Sequence, residues 1–265
     1  ESRCVERSTE WGRRGEGHRG EARGRGYVVP TEDELRRMRW LVAQDSLTDL
    51  SPRDKEMIAR FRHALVDIPQ ALPKFLQCHT STNTAQVDEM RRLLREWAPL
   101  PPSSALALLD AKFADPHVRA YAVGRLESLT DAQLGEYMLQ MTQVLKFETR
   151  HDSPLARFLL RRALRCPHVL GHSLFWNLKA EMHLPEVSER FGLILEEYLR
   201  CCGPHAEELS LQLQVEQTLV AVSDAVKSHP KSERTATLRA ELSKLILPPR
   251  FTLPVSPKFE CCGLV

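Results

Sequence analysis

Residues 153–164 read Ser-Pro-Leu-Ala-Arg-Phe-Leu-Leu-Arg-Arg-Ala-Leu. A serine before a proline predicts a helix start, because the serine side chain can accept a hydrogen bond from the first turn and proline fits the first helical position. The apolar residues that follow recur at helical spacing. We therefore predict an amphipathic helix. Its basic residues are expected on the solvated face, or on a patch that faces a membrane or a partner: Arg157, Arg161, Arg162 and Arg165.

The same start signal recurs along the chain. Ser51-Pro52 and Asp115-Pro116 repeat the cap and proline, and Thr130 with Gln133 has the pattern of a capping box. Apolar stripes at helical spacing follow each start, and the links between them are short, which favours antiparallel neighbours. There is no Asn-Gly or Asp-Gly hairpin signal. The sequence predicts an all-α fold over residues 31–247, an irregular α-α superhelix of antiparallel helix pairs that resembles armadillo or HEAT solenoids.

The two ends of the chain differ from this body. Residues 1–30 are rich in Gly, Arg and Glu, with six of the 12 glycines before residue 27, and we expect disorder. An arginine-glycine tail that binds RNA is the alternative, which the glutamates disfavour. Residues 248–265 contain four prolines and are predicted to be an extended linker.

Composition limits the function classes. The formal net charge is +2, and the first 26 residues already supply it with seven Arg against five Glu, so the rest of the chain is balanced. A balanced body argues against a nucleic-acid surface. The seven cysteines are odd in number and include vicinal pairs, and no segment resembles a signal peptide or a membrane span. We expect a cytoplasmic protein.

Motifs for chemistry are missing from the sequence. There is no phosphate-binding glycine loop, no DFG-type motif for metal and phosphate, and no Gly-x-Ser-x-Gly elbow. Cys166-Pro167-His168 and the run from Cys201 to His205 each lack a second pair at zinc-ligand spacing. We predict no catalytic, cofactor-binding or metal-binding residue in this chain.

Longer runs carry a specific resemblance. Residues 108–129, 144–164, 171–183 and 190–198 are similar, in the same order, to blocks of the helical (PIK accessory) domain of class I phosphoinositide 3-kinases. The stretch around residues 151–153 is closest to the gamma type (class IB). The structural signature of the resemblance comprises His151, Asp152, Gly171, His172, Phe175 and Trp176, and we expect the tryptophan in the core.

The resemblance implies a scaffold. In the family this domain packs between the Ras-binding, C2-type and kinase domains, and a regulatory or adaptor subunit can contact it. The parent enzyme phosphorylates the 3-hydroxyl of inositol lipids with ATP and Mg²⁺ and is recruited to the plasma membrane. Gly263-Leu264-Val265 resembles the first edge of the kinase domain. The resemblance thus implies an ATP-dependent lipid kinase as the parent and no activity in this chain alone.

The residues for a regulatory contact come from the same resemblance. They lie before and at the start of the second predicted helix: Asp45, Asp49, Arg53 and Asp54. Asp49 keeps one acid, whereas Pro52 and Arg53 stand at the family's second acidic position and its neighbour, which argues against a dock based on charge. A second departure is the link of residues 166–171, which is one residue longer than usual. The alternative function is a free-standing helical-repeat adaptor that binds proteins.

Overall fold

The computed structural model describes residues 29–79, 84–248 and 250–261. Within them the chain is predominantly helical and has only two short strands, which confirms the all-α prediction. The predicted disordered segment 1–30 lies outside the described residues except for Val29 and Pro30, and so does the predicted kinase-domain edge. The superhelical arrangement stays a prediction.

The described residues contain thirteen α-helices and two strands. The helices are α1 (Glu32–Ala43), α2 (Pro52–Arg60), α3 (Arg62–Leu65), α4 (Leu72–Leu76), α5 (Thr84–Glu96), α6 (Pro102–Ala105), α7 (Pro116–Leu126), α8 (Asp131–Val144), α9 (Pro154–Arg165), α10 (His172–Glu181), α11 (Pro185–Cys201), α12 (His205–Lys227) and α13 (Arg234–Lys244). Short 3₁₀ turns cover Pro69–Ala71, Leu106–Leu109 and Leu145–Phe147, and a π-helical turn covers Pro167–Gly171. The strands are β1 (Phe251–Leu253) and β2 (Ser256–Cys261).

The predicted helix starts are confirmed at the level of single hydrogen bonds. The Ser51 hydroxyl accepts from the backbone N–H of Asp54 at 3.2 Å, and the Ser153 hydroxyl accepts from Ala156 at 3.2 Å. Thr130 and Gln133 form both halves of the capping box that opens α8. Each bond pairs a first-turn N–H group that has no partner inside its own helix.

The helices divide into two compact units, one up to Ser128 and the other from Leu129. In the first unit, the buried rings of Phe75 and Trp97 stack with centroids 4.9 Å apart. The Trp97 indole N–H donates to the carbonyl oxygen of Ile68 at 2.9 Å. A large aromatic pair whose one polar atom is satisfied therefore sits at the centre of this unit.

One prediction for helix α9 of the second unit is wrong. Arg157, Arg161 and Arg165 are exposed as predicted, but Arg162 is buried. Its guanidinium donates to the Asp131 carboxylate at 2.6 and 3.0 Å and to the Leu129 carbonyl oxygen at 2.7 Å. The charge is tolerated inside because a carboxylate and a carbonyl oxygen replace its water.

The C-terminal segment also differs from what the sequence indicates. No hairpin signal is present, yet β1 and β2 pair antiparallel around the turn at Pro254-Val255, with a register shift next to Leu253. Phe251 is buried against α12, whereas α13 contains no buried residue. We call residues 251–261 the C-terminal hairpin.

No helix among the described residues combines the length and the apolar composition that a membrane crossing requires.

Candidate functional site

A buried lysine forms hydrogen bonds with the backbone of the segment that is predicted to contact a regulatory subunit. We call residues 45–50 the α1–α2 loop. Lys74 is 1% exposed, and its ammonium group donates to the carbonyl oxygens of Asp45 at 2.6 Å and Thr48 at 2.9 Å. Gln77 adds a bond to the carbonyl oxygen of Ser46 at 2.7 Å. Burial, more than any other cause, lowers the pKa of Lys74, and the nearby Asp45 and Asp49 carboxylates act in the opposite direction.

Two of the predicted contact residues are already paired within the first unit. The Asp49 carboxylate, which is exposed, accepts from Lys112 at 2.8 Å, and this hydrogen bond lowers the pKa of Asp49. Asp54 is buried and receives two bonds from the Arg37 guanidinium, at 2.9 and 3.0 Å. Those bonds, more than any other cause, lower its pKa. Asp54 therefore shapes the start of α2 and is not presented to a partner.

The remaining predicted contact residues face outward. Asp45 and Arg53 are both exposed, and the Asp45 carboxylate accepts from the backbone N–H of Leu47 at 2.8 Å. The loop thus offers a backbone of fixed shape with two acidic side chains, and Arg53 on the first turn of α2 places a positive charge next to it in the sequence. Sequence reasoning missed the role of Lys74, although a lysine inside an apolar helix was a signal that could have indicated it.

The predicted structural signature lies in the second unit and divides into two parts. His151 and Asp152 are exposed before α9, and Asp152 pairs with Arg157 on the first turn of that helix. Gly171, His172 and Phe175 are buried, whereas Trp176 is only half-buried. The prediction that Trp176 lies in the core is therefore only partly right.

Gly171 allows two helices to come close together. A Cβ atom added at this position would lie 1.9 Å from the hydroxyl oxygen of Tyr198 and 2.7 Å from its Cζ atom. Tyr198 is itself fully buried on α11. A π-helical turn over Pro167–Gly171 leads into this position.

His172 and Trp176 fasten the C-terminal hairpin to the helices. The Nε2–H of His172 donates to the Pro254 carbonyl oxygen at 2.9 Å. The Trp176 indole N–H donates to Gln212 Oε1 at 2.7 Å, and Gln212 Nε2–H donates in turn to the Thr252 hydroxyl at 2.6 Å. Burial lowers the pKa of His172, which keeps this imidazole neutral. The signature thus connects α10, α12 and the hairpin.

Sequence reasoning missed Gln212 and Thr252, and it missed one further group. Among residues 29–79, 84–248 and 250–261, the set of three side chains that could hold a metal ion is His168, His205 and Glu208. Both histidines belong to the segments whose spacing argued against zinc. The structure brings them together because the turn before α10 lies beside the first turn of α12.

The sequence matches known proteins over most of its length. Residues 27–211 match the description "Phosphoinositide 3-kinase family, accessory domain (PIK domain)". Phosphatidylinositol 3-kinase 2 of Dictyostelium discoideum is 44% identical over 88% of this chain and 13% of that protein. Phosphatidylinositol 3-kinases 1 and 3 of the same organism are 40% and 34% identical over 85% and 91% of the chain, in each case 14% of the relative.

The chain therefore spans about one seventh of the length of the curated relatives that it matches. The family match covers well over half of the 265 residues and includes the predicted regulatory segment and the whole structural signature. This chain belongs to the phosphoinositide 3-kinase accessory (PIK) domain family.

Proposed function

We propose that this chain is the helical scaffold portion of a phosphatidylinositol 3-kinase catalytic subunit. The observation that carries the proposal is the match of residues 27–211 to the accessory domain, together with 34–44% identity to three phosphatidylinositol 3-kinases. The parent enzyme phosphorylates the 3-hydroxyl of inositol lipids at the plasma membrane, with ATP and Mg²⁺ bound in a kinase domain outside this chain. The sequence around residues 151–153 favours a class I enzyme of the gamma type as the parent.

The C-terminal hairpin supports a role in organising neighbouring domains. It is bound to the helices by hydrogen bonds from His172 and Gln212, and its own Phe251 is buried against α12. A domain that follows the hairpin in the parent enzyme would inherit its position from these contacts. In this proposal, the scaffold fixes the position at which the chain leaves the helices.

The α1–α2 loop supports a contact with a regulatory subunit. Lys74 and Gln77 fix its backbone, so a partner would bind it with little loss of conformational entropy. Asp45, Asp49 and Arg53 are the exposed charges. Arg53→Glu in the parent enzyme should weaken the binding of the regulatory subunit severalfold. Arg36→Glu, which changes an exposed residue on α1, should leave that affinity unchanged. Equal affinity of both variants would remove the loop from the interface.

The whole proposal is tested with the transcript and the lipid kinase assay. The reading frame after Val265 is expected to encode kinase motifs, and the full-length protein should phosphorylate phosphatidylinositol in vesicles while this chain alone does not. Gln212→Ala should lower the rate of the full-length enzyme, and His183→Ala, an exposed change on the same unit, should leave it unchanged. A stop codon soon after Val265 would favour the protein-binding adaptor instead.

A further inference from the structure

The turn before α10 and the first turn of α12 bring three potential metal ligands together. His168 Nδ1 lies 3.3 Å from Glu208 Oε2, and the His168 and His205 rings meet edge to face with centroids 5.4 Å apart. One ligand atom from each of the three residues lies within 4.8 Å of the others. His205 and Glu208 are three residues apart on one helix, so they share a face.

His205 is the member that needs an explanation. Its side chain is 2% exposed, and its Nδ1 atom lies 2.8 Å from the Tyr198 hydroxyl. Its Nε2 atom is buried and has no hydrogen-bond partner among the described residues. Buried polar atoms are almost always paired, so an orphan nitrogen beside a second imidazole and a carboxylate points to a ligand.

The surroundings of His205 suit a metal-bound imidazole. When Nδ1–H donates to the Tyr198 hydroxyl oxygen, Nε2 carries a lone pair directed away from the tyrosine. Metal-ligating histidines usually donate their other N–H to a protein oxygen, which fixes the tautomer.

The other two groups give the set mobility and an open side. The His168 and Glu208 side chains are 68% and 46% exposed. They can therefore turn inward until the ligand atoms reach the separation of about 3.3–3.5 Å that tetrahedral zinc requires. The exposed side leaves room for water as a fourth ligand.

One electrostatic term opposes a cation here. The N-terminus of a helix carries partial positive charge, and His205 is the first residue of α12. Glu207 and Glu208 in the same turn offset that charge, and Glu208 would also bind the ion directly.

We propose that His168, His205 and Glu208 bind one Zn²⁺ ion with water as the fourth ligand. Two imidazole nitrogens and one carboxylate oxygen match the ligand types that zinc takes in proteins. The ion would cross-link the Pro167–Gly171 turn to α12, beside Gly171 and His172. The site is a structural brace of the second unit.

The test uses the full chain, stripped of metal with a chelator, and ZnCl₂ as the probe. Isothermal titration should give one tight site per chain. His168→Ala and Glu208→Gln should each weaken it by at least about tenfold. His183→Ala is the matched control, because this exposed histidine lies just after α10, where its ring bonds to the Ala180 carbonyl oxygen. The zinc affinity of this variant should equal that of the wild type.

Two further readouts separate this site from the cysteines. Zinc at a hundredfold excess over its Kd should raise the Tm by roughly 5–10 °C in the wild type and by much less in His168→Ala. Both ligand variants alter exposed side chains, so their metal-free Tm should match the wild type. Cobalt in place of zinc should show no thiolate-to-metal charge-transfer absorption. Thiolate absorption, or zinc affinity unchanged in both ligand variants, would overturn the proposal and leave an adventitious ion only.

Discussion

Gly171→Ala should be among the most destabilising single-atom changes in the second unit. The added Cβ would lie 1.9 Å from the Tyr198 hydroxyl oxygen, 2.7 Å from Cζ and 3.2 Å from the Ala163 carbonyl oxygen. Real Cβ contacts do not come so close, so one side of the contact must move. Tyr198 is fully buried, and the Ala163 carbonyl oxygen belongs to the backbone of helix α9, so neither group can move freely.

The magnitude follows from the two interactions that the methyl group disturbs. Overpacking a well-packed core costs about 1–3 kcal/mol. Displacing the Tyr198 hydroxyl also breaks its 2.8 Å bond to His205, for about another 1 kcal/mol. We expect Gly171→Ala to lower the free energy of unfolding by roughly 2–4 kcal/mol.

Chemical denaturation followed by circular dichroism measures this loss, and the chain offers a matched control. Gly135 lies within α8 of the same unit, and a Cβ there would meet only Leu170 Cδ2 at 3.8 Å, an ordinary contact. Gly135→Ala should stabilise the chain by about 0.5–1 kcal/mol, because alanine favours helix.

A double-mutant cycle with Tyr198→Phe tests the mechanism. Removing the hydroxyl group relieves the 1.9 Å contact, so the two changes together should cost less than the sum of their separate costs. The reasoning is refuted if Gly171→Ala behaves like Gly135→Ala, or if the cycle shows simple additivity.

Three other substitutions test single contacts. Asp54→Asn should cost about 1–2 kcal/mol of stability at neutral pH by breaking the ion pair with Arg37. Because the pKa of Asp54 is lowered in the folded protein, its stabilising effect is fully present above the ordinary pKa near 4 and is lost as the pH falls through the folded pKa. Measuring the stability of wild type and variant from neutral to acid pH checks this pH dependence. Lys74→Met should remove one hydrogen bond from each of the Asp45 and Thr48 carbonyl oxygens, of which Asp45 keeps the bond from the Thr48 N–H. Amide exchange in residues 45–50 should accelerate without unfolding of the unit, and unchanged exchange would argue against this support. Trp176→Phe should cost about 1–3 kcal/mol, because Gln212 loses a buried partner, and exchange in the C-terminal hairpin should rise first.

Local chemistry explains which parts of the fold could be predicted. The starts of α2, α7, α8 and α9 each depend on a side chain and an N–H group two or three residues apart, so the sequence contains the whole interaction. The C-terminal hairpin has no such signal. Its turn at Pro254-Val255 uses no positive φ angle, so it lacks the Asn-Gly or Asp-Gly residues that common hairpin turns require. A register shift beside Leu253 accompanies this turn.

The contacts that build the candidate sites join distant residues, and pattern alone could not pair them. Trp176 reaches Gln212 across 36 residues, and Lys74 reaches Asp45 across 29. A sequence indicates that each side chain is polar, but the partner depends on how the helices pack. The same holds for His168 and His205, whose separate spacings argue against zinc although the fold brings them together.

The burial of Arg162 could nevertheless have been predicted from its position in the sequence, although its charge argued against it. It follows Leu155, Phe158 and Leu159 at helical spacing, so periodicity placed it on the buried face even though its charge argued for solvent. Gln212 occupies the same kind of position between Leu209 and Val215. A polar residue that interrupts an apolar stripe needs a hydrogen-bond partner when the stripe is buried, because burying a polar group without a partner costs folding free energy. Such interruptions are therefore the best indication in a helical sequence of where distant segments are joined.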